Sequence, residues 1–319
     1  MGTQNKSMIR LKGRLSQSSN ALKRLLKGEM TQRFARFRIV RKTYSFFRRI
    51  IQHLSSNSDL NFNSNSHSNF SLKFNLTEPV NCSKSEQIVE KVLPINQVIQ
   101  EVDETAVSFA FQLSETIVQK IHQYALEAPC IEPGYDKLFK VADLDATNCL
   151  LDGHQALRAL VEDLNECPEI DAIAQDPFLL EIAYQYLRYK PTQITCHLSW
   201  SLFSQFPDQE IKRRYPAANY HYDIAGYNFA TSYFYITPVL DGESGPHMMI
   251  PGSHRKKPLR MLFTSGRQSD EAIYSYYGKD QEIEIQGEPG FGFFQDPSCF
   301  HKVKAPTRRN RLLLQVRYS

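Results

Sequence analysis

The 319-residue chain is short of several things, and each shortage excludes something. No run approaches the roughly 18 to 20 uninterrupted apolar residues that a membrane-spanning helix needs, and the start MGTQNKSMIRLKGR lacks the apolar block of a secretory signal. A cytoplasmic location is therefore expected. The six cysteines, Cys82, Cys130, Cys149, Cys167, Cys196 and Cys299, include no CxxC pair, which speaks against a disulfide framework and for a reducing compartment. Sequons at Asn69, Asn75 and Asn81 lie in an Asn/Ser-rich stretch where composition alone produces them. Glycine is scarce (14) and no internal repeat is visible, so with 41% hydrophobic residues one sizeable core plus an appendage is the natural reading.

Acid is nearly absent from residues 1–54: 14 Lys/Arg face only Glu29, a net +13, whereas the remaining 24 Lys/Arg and 33 acids give −9. Within this arm Leu26, Met30, Phe34, Phe37, Val40, Tyr44, Phe47, Ile51 and Leu54 recur at helical spacing, with Arg33, Arg36, Arg41 and Arg48 elsewhere. A basic amphipathic helix over 26–54 fits peripheral docking on an anionic membrane or an acidic protein partner, and it fits equally a helix packed on its own domain. An Arg-rich, acid-poor start is also that of an organelle transit peptide. The myristoylation pattern fails at Lys6. Nucleic acid fits less well, because the positive charge sits on one helix and the body is acidic.

Residues 55–78, dominated by Ser and Asn, are expected to be a flexible linker, and the folded domain is expected over 79–319. From 96 to 190 the sequence is mostly helical: SETIVQKIHQYALEA and HQALRALVEDLNE carry helical spacing, and DPFLLEIAYQYLRY opens with Asp-Pro. From 192 the period changes to that of strands, in TQITCHLSWSLF, YNFATSYFYITPV, QEIEIQ, FGFFQ and RLLLQVRY. Helices first and strands later predict an α+β protein with an antiparallel barrel or sandwich.

His221 and Asp223 lie two apart in a segment that should be extended, where side chains at i and i+2 share a face. One imidazole and one carboxylate leave a divalent metal short of ligands; His301, after the strand FGFFQD, is the candidate third. Two His and one carboxylate on one face would hold Fe(II) and leave the other side open. The same residues also fit a metal-free reading as ordinary core or surface groups, since an HxD triplet is a common pattern. Arg311, opening the last strand, offers a two-pronged donor for the far carboxylate of a dicarboxylate cosubstrate; Arg317, on the same face by parity, competes for that role.

The order of HYD, a strand, ESGPHMMIPGSHRK, GEPGFGFFQD, His301 and Arg311 resembles the phytanoyl-CoA dioxygenase-like (PhyH-like) family of Fe(II)/2-oxoglutarate-dependent oxygenases, over about residues 96–319. DPFLLEIAYQYLRYKPTQITCHLSWS resembles the helix and strand that precede the metal motif in that family. The resemblance implies a double-stranded β-helix, a cupin-like jelly roll with flanking helices. It implies Fe(II) held by His221, Asp223 and His301, 2-oxoglutarate anchored by Arg311, and ascorbate as a reductant. It further implies hydroxylation of a C–H bond in a small-molecule or lipid-like metabolite, with release of succinate and CO2. The family often follows this Arg with a hydroxyl residue, where this chain has Leu312 and Leu313. Asp223 fills the carboxylate position that related halogenases vacate for halide, so halogenation is disfavoured.

Tyr220, Trp200 and His254 are candidate pocket residues, although barrel aromatics are commonly core and a turn histidine commonly structural. His247 is assigned a structural role, and Cys299 is read as a small buried residue. Two rival functions remain: a non-catalytic jelly-roll scaffold docked through its basic helix, and a cupin-type metalloenzyme doing non-oxidative chemistry. Arg311 speaks against the second.

Overall fold

The computed structural model describes residues 37–55, 88–223, 227–263 and 266–319. The expectations for residues 1–36 and, apart from Ser55, for the linker 55–78 lie outside the described residues.

Two antiparallel sheets form the body. The strands are β1 (Val89–Lys91), β2 (Val107–Leu113), β3 (Cys130–Ile131), β4 (Arg158–Val161), β5 (Ile194–Ser201), β6 (Tyr220–His221), β7 (Ala230–Tyr235), β8 (His247–Met249), β9 (Arg267–Gln268), β10 (Ile283–Ile285), β11 (Phe291–Gln295), β12 (His301–Val303) and β13 (Arg311–Tyr318). The large sheet has the order β1-β2-β11-β7-β13-β5-β4-β3 and the small one β10-β8-β12-β6-β9. Eight of these strands, β5 to β8 and β10 to β13, divide four and four between facing sheets, which is the arrangement of a jelly roll. The other five extend its edges.

Eight helices are described: α1 (Arg38–Ser55), α2 (Ile95–Thr105), α3 (Glu115–Glu127), α4 (Pro168–Ala174), α5 (Pro177–Leu187), α6 (Asp208–Arg214), α7 (Leu259–Phe263) and α8 (Asp270–Tyr277). α5 starts where the sequence says it should: the Asp176 carboxylate accepts from the Phe178 and Leu179 amides at 2.9 and 3.2 Å, and Pro177 occupies the first turn, where no amide donor is needed. Its apolar face, with those of α2, α3 and α4, covers the outer side of the large sheet in one core that contains Leu198, Trp200, Leu312, Leu314 and Val316. A second, smaller cluster fills part of the space between the sheets with Tyr233, Tyr235, Met249, Phe293, Cys299 and Leu313.

The stretch 96–190 is not only helical. VSFAFQL forms β2 and RALV, inside a segment with helical spacing, forms β4. Both complete edges of the large sheet, β2 against β11 and β4 against β5, so pairing overrides the local preference of Arg, Ala and Leu for helix.

α1 packs on the body with an unexpected face. Arg41 donates to Asn228 Oδ1 at 2.9 Å, to the Tyr186 hydroxyl at 3.1 Å and to the buried carboxylate of Asp296. Tyr44 stacks on Tyr227, Ser45 accepts from Asn228, Arg48 donates to Thr192, and Gln52 exchanges two hydrogen bonds with the Lys190 backbone. The helix therefore docks through its polar and tyrosine face, while Ile39, Phe46, Phe47, Ile50 and Ile51 stay exposed. No helix among the described residues is long and apolar enough to cross a membrane.

Candidate metal centre

Short strands bring the first two histidines together. β6 ends at His221 and β12 begins at His301, and these two residues are register partners across the antiparallel pair. Their rings lie 4.4 Å apart, centroid to centroid. Asp223 follows β6 with its amide donating to the Pro297 carbonyl at 2.9 Å, which ties it to the loop that leads into β12. One ligand atom from each of His221, Asp223 and His301 lies within 4.8 Å of the others, and Asp223 Oδ1 stands 3.8 and 3.9 Å from the two Nε2 atoms.

The outer hydrogen bonds decide how these groups face. His221 Nδ1 pairs with the Asn219 carbonyl at 2.9 Å and His301 Nδ1 with the Cys299 carbonyl at 3.0 Å, each two residues back along the chain. A carbonyl can only accept, so each Nδ1 carries a proton and Nε2 is the nitrogen each ring turns toward Asp223. Burial, and then the neighbouring His221, push His301 down to about 4, so it is neutral and ligand-competent at ordinary pH. The second oxygen of Asp223, Oδ2, accepts from Arg317 Nη2 at 2.9 Å. Arg317, a rival for the cosubstrate carboxylate by parity, is thus engaged with a metal-ligand candidate. Such a partner fixes the carboxylate's orientation and leaves Oδ1 for the cluster.

Arg311 is placed differently. Only 1% exposed, its guanidinium donates to the Gly245 carbonyl at 2.6 Å and to Ser201 Oγ at 2.8 Å, and its Nε is buried without a hydrogen-bond partner. No carboxylate pairs with it among the described residues. A buried cation without a counter-ion is costly unless an anion arrives. Ser201 faces Arg311 in the β5–β13 register, so a hydroxyl absent at Leu312 and Leu313 is supplied from the neighbouring strand. Leu313 turns into the apolar cluster between the sheets.

His247, given a structural role by sequence reasoning, stands between the two. Its ring stacks on His301 at 5.2 Å, and its Nε2 is buried without a partner. Burial, and then its neighbours His301 and Arg311, hold it well below its ordinary value. A fourth histidine, His197 on β5 of the large sheet, is pushed down to about 4 by burial and then by Arg317.

The remaining candidates lie elsewhere. Trp200 points into the helix-facing core and donates to the Ala125 carbonyl at 3.1 Å. Tyr220, adjacent to His221 on β6, points to the opposite side with Tyr222 and hydrogen-bonds Glu282. His254 lies beside α1 and α2, its Nε2 on the Asp103 carbonyl at 3.1 Å. Cys299 is buried beside Gln295, with burial pushing its thiol up to about 12, and is outside the three-residue cluster.

No family model and no curated protein matches this chain. Among solved structures it is similar to the non-heme α-ketoglutarate-dependent epimerase SnoN from nogalamycin biosynthesis, with 14% identity, a TM-score of 0.46, and coverage of 70% of this chain and 80% of that one. It is also similar to EvdO2 from Micromonospora carbonacea var. aurantiaca complexed with 2-oxoglutarate, at 16% identity and TM-score 0.46 over 73% of this chain and 93% of that one. HygX from Streptomyces hygroscopicus, with nickel, 2-oxoglutarate and hygromycin B bound, is a third, at 14% identity and TM-score 0.45 over 70% and 86%. Likenesses of this degree leave the centre to be judged from its own atoms.

Proposed function

We propose that this chain is an Fe(II)- and 2-oxoglutarate-dependent dioxygenase that hydroxylates a C–H bond of a small-molecule or lipid-like metabolite and releases succinate and CO2. The observation that carries this reading is a pairing. A two-histidine, one-carboxylate cluster with both Nε2 atoms turned inward shares one jelly roll with a buried guanidinium that has no acid partner among the described residues.

The donor set suits the metal: two imidazoles and one carboxylate on one side leave other coordination positions open, as non-heme Fe(II) oxygenase chemistry requires. When bound, iron with 2-oxoglutarate and O2 supplies the oxidising equivalents, one oxygen atom going to the substrate and one to succinate. The chain's own residues do the holding. His221 Nε2, His301 Nε2 and Asp223 Oδ1 are the ligands, and the Asn219 and Cys299 carbonyls keep the Nδ1 protons so that neither ring can turn its wrong nitrogen to the metal. Arg311 takes the far carboxylate of the cosubstrate, with the Ser201 hydroxyl available as a second donor. His247 remains neutral, so it adds no positive charge between metal and anchor.

The test is anaerobic Fe(II) loading followed by 2-oxoglutarate, reading the weak visible charge-transfer band of the chelated cosubstrate. The band should vanish in His221→Ala and weaken in Arg311→Ala. Folded, iron-loaded protein without a band rejects the oxygenase reading and leaves a non-oxidative metalloenzyme or a scaffold.

A further inference from the structure

α1 is amphipathic in an inverted sense: the side that touches the body carries Arg41, Tyr44, Ser45, Arg48 and Gln52, and the side that faces away carries large apolar residues. Ile39 is 74% exposed, Phe46 53%, Phe47 57% and Ile51 55%, with Ile50 between them. Their spacing makes one ridge along the helix. α1 has no acidic residue, and Lys42 and Arg49, both exposed, run beside the ridge one behind the other, seven residues apart.

Directly beneath lies a cleft of about 360 Å³ between α1 and the body, lined by Lys42, Phe46, Arg49, Arg188, His254 and Arg255 among others. Phe46 belongs to both ridge and cleft, so the two are continuous. Lys42, Arg49 and Arg188 have no carboxylate partner among the described residues, whereas Arg255 is held by Asp103 at 3.2 Å. Arg188 caps α5 in the left-handed region at φ 68°, a conformation an Arg adopts at a cost, and its side chain lines the cleft. His254 Nδ1 is buried there without a hydrogen-bond partner. The cleft therefore holds a surplus of guanidinium and ammonium groups suited to a phosphate.

We propose that α1 and this cleft form a docking site for an anionic lipid bilayer, with a headgroup phosphate entering between Lys42, Arg49 and Arg188 while Phe46, Phe47, Ile50 and Ile51 enter the acyl boundary. A convex apolar ridge flanked by cations suits a bilayer surface, which yields around it. A protein partner would have to bring both an apolar groove for the ridge and acids for the Lys42 and Arg49 row, whereas an anionic bilayer supplies both at once. A second copy packed ridge to ridge would bring the Lys42 and Arg49 rows together without acid between them. The site is independent of the chemistry proposed for the metal centre.

The experiment is flotation of the full-length protein with phosphatidylcholine vesicles, with and without phosphatidylserine. Phosphatidylserine should raise the bound fraction on the order of tenfold, and added salt should reverse the gain. Phe47→Glu/Ile51→Glu, whose positions are exposed and leave folding intact by circular dichroism, should abolish binding; Lys42→Glu/Arg49→Glu should remove the preference for phosphatidylserine. Equal binding to neutral and anionic vesicles, or unchanged binding by either variant, would overturn the proposal. So would a dimer in solution that Phe47→Glu/Ile51→Glu dissociates, which would give the ridge to a second copy. Inorganic phosphate protecting Arg188 and Arg49 from guanidinium modification as well as vesicles do, with no vesicle binding, would assign the cleft to a soluble anion instead.

Discussion

The two faces of β13 are a contrast within eight residues. Leu312, Leu314, Val316 and Tyr318 face the helices and are buried in the main core, while Arg311, Gln315 and Arg317 turn with Leu313 toward the space between the sheets. One strand thus divides stability from chemistry by parity, and neighbouring strands repeat the division: Leu198 and Trp200 on β5 face the core, Ser201 and His197 the interior. The lesson is that a one-residue shift would exchange the two sets entirely, so the hydrophobic face fixes the register on which the site depends.

That division can be broken from either side. The largest expected effect is on the inner face: His301→Ala should lower Fe(II) or Co(II) affinity by more than about a hundredfold, beyond the loss usual for outer partners, with little change in thermal midpoint. Titration calorimetry with the apo protein reads it. On the core face Leu314→Ala should cost about 2 to 5 kcal/mol of unfolding free energy in urea and leave metal affinity intact. Arg317→Gln is smaller: Asp223 loses its outer donor, and metal affinity should fall about tenfold to a hundredfold. Unchanged affinity there would mean that Asp223 is oriented by its backbone alone.

The smallest effect sharpens the contrast through pH. Burial, the largest cause for each, pushes His197, His254 and His301 down to about 4, below the roughly 6.5 of an unfolded chain. Between these values the unfolded state binds more protons, so stability falls as pH drops from about 6.5 toward 4. Denaturation midpoints measured across that window should decline, and His254→Gln should flatten the slope by up to about 1.4 kcal/mol per pH unit, one proton's share.

Strands β5, β7, β11 and β13 were legible from their β-branched and aromatic runs, as was α5 from its Asp-Pro entry. The spacing of His221 and Asp223 predicts a shared side, and the two side chains do converge. What stayed hidden depends on register between distant segments. The Ser201 hydroxyl reaches Arg311 across a separation of 110 residues, and Arg317 reaches Asp223 across 94. No local period carries such information. The docked face of α1 was hidden for a related reason: apolar spacing puts Tyr44, Phe47 and Ile51 on one face, but Arg41 finds a buried carboxylate and Tyr44 a tyrosine platform, and these contacts turn the helix so that Tyr44 docks while Phe47 and Ile51 stay exposed.

Arg41 reaches Asp296 across 255 residues. Asp296 in turn accepts from the Ser298 amide, its carbonyl accepts from Cys299, and Pro297 receives the amide of Asp223. Against the cost of burial, Arg41 holds the Asp296 carboxyl well below the usual carboxylate range. Docking of α1 is thus an intrachain contact closed between residues far apart in the sequence. Without this contact Asp296 would be a buried carboxylate stripped of its cation, in the loop that leads to His301 and accepts the Asp223 amide. α1 is thereby a keystone for the loop beside the His221, Asp223 and His301 cluster, set in place from the opposite end of the sequence.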